Sequence, residues 1–203
     1  MLFRSLFKAA GYNLLVVFFP AYLELAYRIP KEDAASMASW SLVGAVAGSL
    51  LGGWVIDGLQ RRTNSKRVSR CWVALASMFL TAVLMAAACL TTNATELALV
   101  MAVAALVTGV GNSCPWAAIM DIGGKNTAVA MGFLNCGACL AGVLITPLVG
   151  RLIDHLRDAG GDWNLVIYIH AAFYVAAGLC WFAIDPDRPL DRAETSHAVR
   201  HAH

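Results

Sequence analysis

The sequence predicts an all-α integral membrane protein of six transmembrane helices, arranged as two three-helix units of opposite orientation. Three observations carry that expectation. Of 203 residues 59% are hydrophobic and 14% charged, with a mean hydropathy of +0.65; a water-soluble domain needs about 25% charge to cover its surface. Six runs are long and apolar enough to cross a hydrocarbon core of about 30 Å. A short segment closing the second run recurs at the close of the fifth. The net charge of +2, with no basic stripe outside one loop, excludes nucleic acid as a partner.

Residues 1–8 read as a cytoplasmic N-terminus carrying Arg4 and Lys8. The first span, Ala9 to Tyr27, contains Tyr12, Asn13 and Pro20 and outruns the apolar region of a signal peptide, which argues against cleavage. Further spans run from Ala34 to Ile56, Cys71 to Thr91, Leu97 to Met120, Thr127 to Gly150 and Asn164 to Ile184, leaving no soluble domain within 9–184. Residues 185–203, with two prolines, several charges and three histidines, read as a disordered cytoplasmic tail. The six cysteines lie in or at the edge of apolar runs, where Cys serves as a small packing residue.

Orientation follows from the cations. With the N-terminus inside, eleven Lys and Arg fall in the cytoplasm and four (Arg28, Lys31, Arg151, Arg157) outside, as the positive-inside rule requires. Both termini are expected in the cytoplasm. Tyr27, Trp40 and Trp163 then fall at outer span ends, and Trp54, Trp72 and Trp181 near inner ends, as interfacial anchors do.

The repeat pairs Gly53-Trp-Val-Ile-Asp57 with Gly150-Arg-Leu-Ile-Asp154. Each closes the middle helix of a triplet, and because three is odd the triplets have opposite orientation, the pattern of an inverted repeat. Gly44, Gly48 and Gly52 recur every fourth residue and leave one stripe of the second span bare, so a neighbour can approach backbone to backbone. Ala138 and Gly142 suggest the same in the fifth span.

Polar groups in mid-membrane mark candidate sites. Gly109-Val-Gly111-Asn112-Ser113-Cys114-Pro115-Trp116 loosens the fourth helix, and Ser113 and Trp116, three apart, can offer a hydroxyl and an indole N–H to a polar ligand. Asn135 in the fifth span either bonds a neighbouring helix or takes a ligand hydroxyl, and Tyr12 and Asn13 raise the same question. Asp57 beside Arg61 can pair with a neighbouring helix and latch one state of a rocking bundle. Ser113 with His170 also gives a faint serine-protease pattern, although His170 counts to the opposite half of the membrane. No catalytic residue, metal site or cofactor is expected.

Gly53, Asp57, Arg61 and Arg62 resemble the loop signature of the major facilitator superfamily, with Gly58 in place of its usual Arg and Gln60 in place of its second Gly. Phe19-Pro20-Ala21-Tyr22, Trp116, Asp121, Gly132-Phe133-Leu134-Asn135 and Pro147-Leu148-Val149-Gly150 extend the resemblance to the C-terminal half of the anion:cation symporter family. That resemblance implies helices seven to twelve of a twelve-helix carrier of organic anions such as hexuronate or galactonate, proton-coupled and in the inner membrane. It assigns Ser113, Trp116 and Asn135 to substrate. It also implies that the coupling carboxylates and a carboxylate-binding Arg belong to a first half, so this chain is expected to be inactive alone. Its expected partners are the bilayer, a small organic anion and an N-terminal half or a second copy; the alternative is a gene fragment.

Overall fold

The computed structural model describes residues 2–183, so the expected tail lies outside the described residues. Among the described residues six helices are long and apolar enough to cross a membrane: α1 Leu2–Tyr27, α2 Lys31–Thr63, α3 Arg67–Ala88, α4 Ala94–Ile122, α5 Gly124–Ala159 and α6 Asn164–Ala183. Helix ends follow local chemistry. Asn93 caps α4 by accepting from the Thr95 amide at 3.2 Å, and α5 stops at Gly160, whose φ of 65° is the left-handed conformation of a C-terminal cap. At the end of α2, Asn64 takes the same conformation and returns its amide to the Gln60 carbonyl at 2.9 Å.

α1 starts at Leu2, so residues read as preceding the first span form its first turns. Arg4 is 3% exposed. Cations ahead of an apolar run look like flanking charges in a linear reading, but a helix continues until its hydrogen bonds are broken, and nothing between Leu2 and Lys8 breaks them.

The packing repeats itself under exchange of the two triplets. α2 lies on α4 as α5 lies on α1, α3 lies on α4 as α6 lies on α1, and α3 meets α6 across the centre. The α2–α4 contact is the bare stripe: a Cβ at Gly52 would stand 2.6 Å from the Val110 carbonyl oxygen, and Gly44 and Gly48 face the carbonyls of Ala102 and Leu106. Gly109 answers from α4, where an added Cβ would stand 2.5 Å from the Ala45 carbonyl oxygen. In lipid, where burial of apolar surface does not drive helices together, such close approach supplies the attraction. The equivalent α5–α1 contact uses Gly137, whose Cβ would meet the Leu2 carbonyl at 2.7 Å. Gly142, expected to pack, has nothing within 4 Å.

Leu14, Phe19, Met78, Met101 and Tyr174 are fully buried between α1, α3, α4 and α6. Thr81 and Thr108 hydrogen-bond across α3 and α4 at 3.0 Å. A smaller cluster of Ile56, Cys71, Cys114 and Trp181 closes the other end. Trp181, expected as an interfacial anchor, is 1% exposed because Arg4 covers its ring. α5 buries only 17% of its most apolar stretch against the chain, where the central α4 buries 50%. One side of the bundle is therefore left open, and Cys136 and Cys139 are exposed on α5.

Candidate functional site

A cavity of about 190 Å³ opens between α1, α4 and α5. Its α1 wall is a stripe of polar residues at helical spacing: Arg4, Lys8 and Tyr12, with Asn13 beside them. Above the stripe, Leu14–Phe18 is wound as a π-helix. Pro20 accounts for it, since it has no N–H for the Val16 carbonyl and its ring crowds that turn.

α4 contributes Asn112, Pro115 and Trp116, and α5 contributes Leu134, Asn135 and Ala138. Asn112 lies about 15 Å from the end of α4 at 1.5 Å per residue, well inside the membrane. Lys8 Nζ donates to Asn112 Oδ1 at 3.0 Å and stands 4.5 Å from the centroid of the Tyr12 ring. Asn13 Nδ2 donates to Thr146 Oγ1 at 3.1 Å, and Ser5 Oγ to the Leu134 carbonyl at 2.5 Å, so both tie α1 to α5. Arg4 holds its guanidinium 5.1 Å over the Trp181 ring. Such a cavity can hold a small polar molecule through amides, an indole, a phenol and cations.

Tyr12, Asn13, Trp116 and Asn135, candidates from the sequence, meet on this wall. Ser113 does not line the cavity: its hydroxyl donates to the Ser49 carbonyl of α2 at 3.2 Å. Residue 112, four before Trp116, takes the place expected of residue 113. A helix turns 100° per residue, so a spacing of three or four leaves the choice open until a neighbour fixes the azimuth. Arg4, Lys8 and Asn112 join the cavity beyond the residues expected there. The spacing of Arg4, Lys8 and Tyr12, each four apart within one helix, is the signal that finds them.

Around the α2–α3 connection, Asp57, Arg61 and Arg62 are exposed and Gly53 has nothing within 4 Å. Asp121 at the end of α4 forms ion pairs here instead, with Arg70 of α3, Nε to Oδ2 at 3.1 Å, and with Lys66 just before α3, Nζ 3.9 Å from Oδ1. His170 Nδ1 bonds the Val166 carbonyl of its own helix at 2.7 Å, so Ser113 and His170 each have another partner and form no catalytic pair. No cluster of three metal-binding side chains occurs among the described residues.

A family model described as Major Facilitator Superfamily matches residues 1–201. The chain is 26% identical over 195 residues to the probable sulfoacetate transporter SauU of Cupriavidus necator, covering 95% of this chain and 44% of that protein. It is 27% identical over 186 residues to the hexuronate transporter of Bacillus subtilis, covering 87% of this chain and 41% of that protein. The chain thus spans less than half the length of both relatives.

Proposed function

The chain belongs to the major facilitator superfamily, and on that premise we propose that it carries half of a binding cleft for small organic anions such as sugar acids or short sulfonated acids. Members of the superfamily are transporters, so the chain is not an enzyme. The observation that carries the proposal is the cavity of Lys8, Tyr12, Asn13, Asn112, Trp116 and Asn135. Its amides and indole suit ligand hydroxyls, and its cations suit an acidic group. The named activities of the two relatives, hexuronate and sulfoacetate transport, fit a site of this chemistry.

Transport requires a second unit. The cavity is walled by α1, α4 and α5 on one side only, and Asn135 and most of α5 are exposed. A second six-helix unit, an N-terminal half or another copy, completes the cleft, and alternating access is the rocking of one unit against the other. Substrate entry is coupled to protons in the inner membrane, with both termini cytoplasmic. Asp57, Arg61, Arg62 and Gly53 lie where α2 meets that second unit and latch one state of it. Ser113 supports the site by fixing α4 against α2.

Binding of glucuronate, galactonate and sulfoacetate to the chain in nanodiscs, read by calorimetry, tests the anion assignment. Saturable binding of at least one, weakened by Asn135→Ala, is expected; no binding of any overturns it. Uptake of a labelled acid by proteoliposomes holding no more than one copy of this chain per vesicle would overturn the requirement for a second unit, and uptake that appears only at higher copy number assigns that unit to another copy.

A further inference from the structure

Arg4 and Lys8 stand one turn apart on α1 and line the same cavity, and among the described residues no Asp or Glu lines it. Both are held by neutral groups. Lys8 has an amide oxygen and a tyrosine ring; Arg4 has a tryptophan ring, and its Nε is buried with no hydrogen-bond partner. These contacts aim the cations without neutralising them. Asp121, a carboxylate on α4, is already taken by Arg70 and Lys66. Cations lining a cavity in a membrane-spanning bundle, with no counter-charge among the described residues that line it, are costly, and a protein retains them where an anion enters.

We propose that this pair makes the cavity a site for a short dianion, with Lys8 binding one of its two acidic groups and setting a preference for double over single charge. The proposal rests on the organic-anion reading above and adds the charge count. A single carboxylate leaves one of the two cations unmatched; two acidic groups match both. Lysine is a compact point charge with three donors, one of which is spent on Asn112, so it meets a carboxylate or a sulfonate oxygen without demanding the paired geometry that arginine does. Asn135, and the N–H of Asn13 not given to Thr146, remain for neutral oxygens of the same ligand.

The experiment compares sulfoacetate with its monoamide, sulfoacetamide, which keeps the shape and removes one charge, using this chain in nanodiscs. Sulfoacetate should bind at least about tenfold tighter, as a close, partly desolvated charge pair provides. Lys8→Gln should bring the two affinities together, and Lys8→Arg should restore the gap. In the unmodified chain, sulfoacetate but not sulfoacetamide should protect Lys8 from an amine-acetylating reagent, a readout that does not depend on a variant folding. Equal affinities with equal protection overturn the dianion site, as does a gap that survives Lys8→Gln. If glucuronate binds while the gap is absent, only this inference fails; if no acid binds, the organic-anion reading fails with it.

Discussion

Gly48 of α2 is turned into the backbone of Leu106 in α4, so that a single carbon added at position 48 would overlap the Leu106 carbonyl oxygen. Backbone cannot swing aside as a side chain can, so relief requires separating the two helices along the whole stripe from Gly44 to Gly52. Gly48→Val is expected to cost about 3 kcal/mol or more, the upper end of overpacking penalties. Gly142→Ala, in open space on α5, should stay within about 0.5 kcal/mol. Thermal unfolding of the two variants in detergent checks the contrast, and equal losses would refute the backbone contact.

The Arg70–Asp121 pair is only partly screened, with side-chain exposures of 10% and 23%. Asp121→Asn leaves Arg70 charged and without its carboxylate, for an expected loss of roughly 1–3 kcal/mol, below the full buried-pair figure because Asp121 still meets water. Arg70→Met combined with Asp121→Leu should recover most of that loss, since neither charge is then stranded. Denaturant titration of the single and double variants measures the difference.

Asn13 and Asn135 face the cavity while Ser113 faces α2. Alanine at Asn135 or Asn13 is expected to weaken acid binding about tenfold, the worth of one hydrogen bond to a charged or strongly polar ligand. Ser113→Ala should leave affinity unchanged and lower stability by about 0.6 kcal/mol, typical of an interhelical bond in lipid. Calorimetry and unfolding on the same samples separate the two roles.

Asp57 and Asp154 close equivalent helices of the two triplets. In a cysteine-free background, Asp57→Cys is expected to react with an impermeant maleimide only from the cytoplasmic face, and Asp154→Cys only from the outer face. Labelling of both from one side would refute the inverted repeat.

Much of the helix packing could be read from the chain. Gly44, Gly48 and Gly52 identified the face of α2 that meets α4, because only a stripe without side chains permits that approach. The site was legible in part. Tyr12, Asn13, Trp116 and Asn135 stand out as polar groups where lipid admits few. Lys8 did not, because a cation before an apolar run has an ordinary explanation as a flanking charge. Only the continuation of α1 back to Leu2 puts Lys8 opposite Asn112, more than a hundred residues away.

The amino-acid sequence by itself determined six crossings, their order and the small-residue seam, since crossing a bilayer depends on local hydropathy and length. Tertiary structure alone decided that Asn112 rather than Ser113 joins Trp116, and that Arg4 covers Trp181 and Lys8 turns inward. The reason is rotational: hydropathy sets how long a helix runs, but the direction of each side chain around its axis is set by the neighbour against which it packs.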